Sequence, residues 1–153
     1  MKKLIIFLSI FFFHSIQADE FIGIPKIIDG DTIYIYSIKI RLKDIDAPEM
    51  KQKCKRNKVD YFCGVESKNQ LKKKIDKSKI KCISSGKDRY NRYLATCFRG
   101  NINLNKWMVK NGFAVAYRRY SKSYVADENF AKDNNLGLWA GSFISPEKWR
   151  KLN

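Results

Sequence analysis

The residues Ile27-Ile28-Asp29-Gly30-Asp31-Thr32, followed by Ile40-Arg41-Leu42-Lys43-Asp44-Ile45-Asp46-Ala47-Pro48-Glu49, decide how this chain is read. Apolar, β-branched residues from Phe21 to Ile28 read as a strand leading into Asp29-Gly30-Asp31. In that turn glycine supplies backbone freedom and aspartate local hydrogen bonds. Thr32 to Tyr36 again has strand composition, and Ser37 is a second short turn. Ile38, Ile40 and Leu42 then alternate with Lys39, Arg41 and Lys43, which is a half-buried strand with a basic outer face. Three such strands joined by short turns make an antiparallel meander. The period of two sends Arg41 to the face opposite Ile40 and Leu42, at the surface beside the turn. Beyond it, Pro48 fixes its own φ and biases Ala47 to an extended conformation, so a rigid loop holds Asp46 and Glu49.

Five of the 15 acidic residues (Asp29, Asp31, Asp44, Asp46 and Glu49) fall in this stretch of a chain with a formal net charge of +16. Carboxylates so concentrated in a basic chain point to a hard-cation site, because Ca²⁺ or Mg²⁺ takes oxygen ligands at close quarters. Arg41 lies among them. A metal, an arginine and a spare carboxylate are what phosphodiester cleavage needs. Asp29 reads as shaping its own turn, and Asp44 as a solvated strand end or a partner to a ligand.

Met1 to Ala18 has two lysines, an apolar run from Leu4 to Phe13, and Ser15-Ile16-Gln17-Ala18. This reads as a signal peptide, 1–18, cleaved after Ala18, with the functional domain at 19–153. The apolar run is too short to span a bilayer comfortably, so no stable membrane insertion is expected after cleavage. Removing the leader takes away two lysines and no acid, lowering the charge from +16 to +14, and also removes His14, the only histidine. A mature chain without histidine excludes an imidazole base, a Ser-His pair and a His-ligated zinc. The expected product is an exported monomer, periplasmic or secreted.

The four cysteines, Cys54, Cys63, Cys82 and Cys97, all lie in the mature part. An even count in an exported chain points to disulfides, and four cysteines permit three pairings. Cys54 with Cys63 would close a lysine-rich loop, and Cys82 with Cys97 would staple two neighbouring strands. That is the expected pairing. The strongly positive charge draws the protein to polyanions.

Further along, 50–62 reads as a loop, and a helix from Gly64 carries Val65, Leu71 and Ile75 on one side. Lys79–Ser84 and Tyr90–Phe98 read as strands around the turn Ser85-Gly86-Lys87-Asp88. Leu104, Trp107, Met108 and Val109 define a short helix ended by Asn111-Gly112. Phe113–Tyr120 is aromatic and basic, Ser123 opens a third helix ended by Gly137, and Ser145-Pro146-Glu147 starts a final helical turn. Trp107, Trp139 and Trp149 are taken as core. Five strands with a helix after the third, then helices, point to the α+β class: a five-stranded OB-fold β-barrel whose open strand face suits extended polymers.

These residues resemble the thermonuclease, or staphylococcal-nuclease-like, family. The matching stretches are Asp29-Gly30-Asp31-Thr32, Arg41 to Glu49, Asp88-Arg89-Tyr90-Asn91-Arg92-Tyr93, Asn111 to Tyr117, and Gly137-Leu138-Trp139. They cover essentially the whole mature chain. The resemblance implies a five-stranded OB barrel with three α-helices and a Ca²⁺-dependent phosphodiesterase site. It makes Asp31 and Asp46 the carboxylate ligands of Ca²⁺, with the backbone carbonyl of Ala47 beside them. It assigns Glu49 to the attacking water, Arg41 and Arg92 to the phosphate, and Arg89, Tyr90, Tyr117 and Tyr120 to the substrate. It also implies cleavage on the 5′ side of the phosphodiester, leaving 3′-phosphates, in DNA and RNA. Single-stranded substrate is preferred, because free bases stack on tyrosines. The competing expectations are an OB module that binds nucleic acid without cutting it, and a basic interaction protein whose acidic turns are structural.

Overall fold

A computed structural model describes residues 19–153; the expected leader lies outside the described residues. In chain order come β1 (Glu20–Gly23), β2 (Lys26–Ile27), β3 (Thr32–Ile35), β4 (Ile38–Leu42), β5 (Ile45–Asp46), β6 (Lys53–Arg56) and β7 (Val59–Phe62). α1 (Cys63–Ile75), β8 (Ile80–Lys87), β9 (Tyr93–Arg99), β10 (Ile102–Asn103) and α2 (Leu104–Lys110) follow. β11 (Val115–Ala116), α3 (Val125–Asp133), a 3-10 turn at Gly137–Ala140 and α4 (Pro146–Leu152) complete the fold.

The meander forms because β3 and β4 each alternate. Ile33, Ile35, Ile40 and Leu42 are buried, whereas Lys39 faces solvent. β3 pairs antiparallel with β4 in the register Ile33↔Ile40, and β4 pairs in parallel with β9, Ile40 opposite Tyr93. β9 pairs antiparallel with β8, and β8 with β1. The expected single strand 21–28 is interrupted at Ile24-Pro25, where proline cannot donate to a ladder. The interruption has a use: β1 continues the ladder to β8, and β2 turns to pair with β3. The order β1-β8-β9-β4-β3-β2 thus returns to the segment where it began, closing a five-walled barrel of the α+β class.

Four α-helices are present among the described residues rather than the three expected, since α4 is a full helix. Ser145 caps it, accepting from the Lys148 N–H, and Pro146 occupies its first turn. α1 closes one end of the barrel through Cys63, Gly64, Ser67, Leu71 and Ile75. Val65, expected on that face, is exposed. At 100° per residue, positions 64, 67, 71 and 75 form one stripe and 65 falls beside it. Burying Leu71 completely makes Leu71→Ala worth about 2–5 kcal/mol.

The expected loop 50–62 is instead a hairpin, β6 with β7, turned through Asn57 and Lys58, both left-handed at φ 51° and 66°. Asparagine tolerates that conformation, and two such residues make the two-residue turn favoured in hairpins. The second expected strand of the β8–β9 pair starts at Tyr93, because Asp88–Asn91 forms a turn with Asn91 at φ 59°. α3 begins at Val125 rather than Ser123. Trp107 and Trp139 pack partly buried against the two apolar clusters, whereas Trp149 is half-buried on α4 and belongs to neither. Cys54–Cys63 joins the hairpin to the start of α1, and Cys82–Cys97 staples β8 to β9. These are the two pairs expected.

Candidate functional site

The acidic turn closes on itself: the Asp31 N–H donates to Asp29 Oδ1 at 2.9 Å. Asp29 thereby shapes its turn, and burial, then the neighbouring charge of Asp31, pushes its carboxyl up to about 6. Two glycines let three segments converge here. A side chain on Gly30 would meet Ser67 Oγ at 2.0 Å and Ala47 Cβ at 2.7 Å, and one on Gly64 would meet the Glu49 carbonyl oxygen at 1.9 Å. The Asp31 turn therefore packs directly against the side chains of Ser67 and Ala47, and the start of α1 meets the 46–49 loop backbone to backbone.

Thr32 lies opposite Arg41 in the β3–β4 ladder, which puts the arginine within reach of the turn. Arg41 Nη1 donates to Asp31 Oδ1 at 2.6 Å, and Nη2 donates to Asp46 Oδ1 at 3.0 Å and to the Ile45 carbonyl at 3.3 Å. Asp31 Oδ2 accepts from the Ala47 N–H at 2.9 Å. Asp31 and Asp46 are both buried. Arg41 leaves the core side of the strand as expected, but it does not reach open surface. Its side chain is only 13% exposed, covered by the two carboxylates and lying 5.9 Å from the centre of the Tyr117 ring. Burial opposes its charge, yet Asp31 and Asp46 hold its pKa above the ordinary arginine value.

The 46–49 loop is held from two sides. β5 pairs with β11, Asp46 opposite Val115, so that Tyr117 follows directly and donates its N–H to the Asp44 carbonyl at 2.9 Å. Asp44 is a left-handed turn residue at φ 64°. On the other side Gln52, fully buried, accepts from the Glu49 N–H and donates to the Ile144 carbonyl at 2.7 Å. Asn105, also fully buried, accepts from the Cys97 N–H and donates to the carbonyls of Lys43 and Ala95, pinning the exit of β4.

One member of the cluster has no sequence signal. Arg150, on α4, donates Nη1 to Asp46 Oδ1 at 2.9 Å and to Glu49 Oε1 at 3.0 Å, and Nη2 to Asp46 Oδ2 at 3.0 Å. Burial works against its charge, but Asp46 and then Glu49 hold its pKa far above the usual range. Burial also pushes the Asp46 carboxyl up, with the Arg150 bond opposing it. Asp31, Arg41, Asp46, Glu49 and Arg150 form one continuous network.

Arg92 is not bonded to that network. Tyr93 lies opposite Ile40 and Leu94 opposite Arg41, so Arg92 stands one step before that level. Its Nε and Nη2 are held by Asp88 Oδ2 at 2.8 and 2.7 Å. Tyr90, 64% exposed, lies under the guanidinium groups of Arg89 and Arg92 at 4.8 and 5.4 Å. Tyr117 and the exposed Tyr120 meet edge to face at 4.8 Å, and of the two it is Tyr117 that touches Arg41.

The donors that converge are oxygens only, two buried carboxylates plus the half-exposed Glu49, which matches the preference of a hard cation. As arranged, no three acidic, histidine or cysteine groups among the described residues are set around one point for a metal ion. The reason is visible in the bonds, since guanidinium nitrogens occupy the inward oxygens. The carboxylate oxygens of Asp31, Asp46 and Glu49 fit Ca²⁺ in chemistry, and both oxygens of Asp46 are bonded to Arg150.

The family described as staphylococcal nuclease homologue matches residues 39–141 of this chain. A succinoglycan biosynthesis protein, ExoI, of Rhizobium meliloti is 37% identical over 80% of this chain and 66% of its own length, so the chain spans just under two thirds of it. An uncharacterized endonuclease of Haemophilus influenzae is 37% identical over 84% of this chain and 71% of its own. A micrococcal nuclease of Shigella flexneri is 32% identical over 85% and 80%.

Proposed function

Because the chain belongs to the staphylococcal nuclease family, we propose that it is an exported, Ca²⁺-dependent nuclease acting on phosphodiester bonds of DNA and RNA. The observation that carries this reading is the sharing of one guanidinium, that of Arg41, by Asp31 and Asp46, with Glu49 bound to the neighbouring one. Asp31, Asp46 and the Ala47 carbonyl would hold the cation. When bound, Ca²⁺ supplies Lewis-acid charge and a template for the phosphate.

A phosphodiester repels a nucleophile, and its transition state carries still more charge, so fixed cations aimed at it are the effective remedy. Arg41 and Arg92 supply paired hydrogen bonds to phosphate oxygens from groups that stay protonated. Arg41 is already aimed by two carboxylates, and Arg92 by Asp88. Glu49 accepts a proton from the attacking water. The water oxygen bonds to phosphorus as the P–O bond on the 5′ side breaks, and the leaving 5′ oxygen takes a proton from solvent, giving a 3′-phosphate and a 5′-hydroxyl. Tyr117 and Tyr120 on one side, and Tyr90 with Arg89 on the other, offer aromatic faces to single-stranded bases. Two disulfides support export, since such bonds persist in oxidising compartments.

The purified protein incubated with denatured DNA and Ca²⁺, with and without excess chelator, tests this, alongside Glu49→Gln and Arg92→Ala. The expected result is Ca²⁺-dependent cleavage, falling about 10²–10³-fold in each variant. Salt-sensitive binding without cleavage would favour the second reading, a non-catalytic OB module. That alternative draws on one observation, the engagement of both Asp46 oxygens by an arginine fork.

A further inference from the structure

We propose that Arg150 is a tethered counter-ion of the carboxylate cluster, and that its withdrawal from Asp46 sets the affinity of the site for a divalent cation. The inference rests on the cation reading above and deepens it.

Asp46 spends both oxygens on the Arg150 fork, with Oδ1 shared by Arg41. A paired fork on a carboxylate is among the stronger charge-assisted contacts, and a cation bound through the same oxygens competes with it directly. The two arginines differ in what they are able to do. Arg41 stands in β4, 13% exposed, and binds two carboxylates and a carbonyl; Arg150 is 33% exposed and reaches in from a surface helix. Arg150 is therefore the one with room to leave.

The helix that carries it stays in place when the side chain leaves. Pro146 is buried, Ser145 caps the first turn, and Gln52 donates to the carbonyl of Ile144 just before the helix. Arg119 pairs with Glu147 at 3.2 Å on the outer side. Gln52 also accepts from the Glu49 N–H, so the loop that offers Glu49 and the helix that offers Arg150 are joined through one buried amide. In charge, three carboxylates (Asp31, Asp46, Glu49) face two guanidinium groups (Arg41, Arg150). Removing Arg150 leaves the cluster more negative without touching a proposed ligand.

The sign of the effect separates this role from a structural one. Loss of a residue that merely props the site weakens cation binding, whereas loss of a competing cation strengthens it. Calorimetric titration of the whole protein with Ca²⁺, without nucleic acid, reads this directly. Arg150→Gln is expected to bind Ca²⁺ about tenfold more tightly than wild type, with Arg150→Lys in between because it keeps the charge and loses the fork. Asp46→Asn is expected to bind far more weakly. Equal or weaker binding by Arg150→Gln, with wild type still binding, overturns the role of Arg150 and leaves the cation site intact. Absence of Ca²⁺ binding in wild type and in Arg150→Gln alike overturns both. Should Arg150→Gln fail to fold, Arg150→Lys decides alone: no rise in affinity overturns the proposal.

Discussion

Arg150 and Asp46 stand 104 positions apart in sequence and meet in a two-bond fork, Nη1 to Oδ1 at 2.9 Å and Nη2 to Oδ2 at 3.0 Å. The C-terminal helix thereby belongs to the same network as the first hairpin. Asp46 also accepts from Arg41, so one buried carboxylate links β4 to α4.

Arg41 holds two buried carboxylates apart, so Arg41→Ala should cost more than activity. Removing one partner of a buried ion pair is destabilising by about 3–5 kcal/mol, and here two partners are left. The variant should lose about 10²–10³ in cleavage rate and unfold earlier in chelator. Ca²⁺ should restore much of the stability while leaving the rate low. Thermal unfolding with and without Ca²⁺, beside a cleavage assay, checks both.

Gly30 is, with Gly64, one of the two tightest points of the site. A methyl group there meets Ser67 Oγ at 2.0 Å and Ala47 Cβ at 2.7 Å, so Gly30→Ala must push the Asp31 turn off α1 or away from Ala47. Overpacking of this kind costs about 1–3 kcal/mol. Cleavage should fall with it, because Asp31 Oδ2 loses its place against the Ala47 N–H. Denaturant titration and Ca²⁺ titration of the same variant measure the two losses separately.

Asn105 bonds one buried N–H and two carbonyls, and Asn105→Ala takes that partner from the Cys97 N–H and the Lys43 carbonyl, while the Ala95 carbonyl still accepts from the Lys43 N–H. Each orphaned group costs about 1–3 kcal/mol, which makes this among the most damaging single changes outside the apolar core. Asn105→Asp keeps the acceptor but sets a buried carboxylate oxygen against the Lys43 and Ala95 carbonyls, and should be at least as damaging as alanine. Equilibrium unfolding in urea orders the three proteins.

Glu128 supplies the pH dependence. It is buried, accepts from the Ala116 N–H at 3.1 Å and from Lys132 at 2.9 Å, and pairs with Arg118. Burial opposes its charge, but the bonds from Lys132 and Arg118 outweigh that and hold its carboxyl below the usual 4.5. A folded value below the unfolded one means the contribution is full above pH 4.5 and is lost as pH falls through the folded value. Glu128→Gln should therefore be less stable than wild type by about 2 kcal/mol at pH 7, and the gap should close in acid. Unfolding curves from pH 7 down to acid measure it; a gap independent of pH would refute the pairing.

Alternation in Ile38–Leu42 and the Asp29-Gly30-Asp31 turn made the meander legible, and cysteine parity with strand order made both disulfides so. The hairpin 53–62 hides in the sequence because its lysines look like loop composition, although Cys54 alternates correctly with Lys53 and Lys55. Val65 is exposed because its position on the helix, and not its apolar character, decides which face it joins. Alternation reports which side of a strand Arg41 faces, not what lies over that side, so its covering by Asp31 and Asp46 is not legible there.

Local order in the chain was enough to determine the barrel strands, the rigid acidic loop and the grouping of Asp31, Arg41, Asp46 and Glu49, all within 19 consecutive residues and one strand pairing. Only tertiary packing decided that Gln52, Asn105 and Arg150 complete the surroundings of that group, and that Arg92 rests on Asp88 instead. Periodicity and turn chemistry act over a few residues and can be read along a line. Contacts between the 46–49 loop and a helix more than a hundred positions later depend on how the barrel closes, which no short window records.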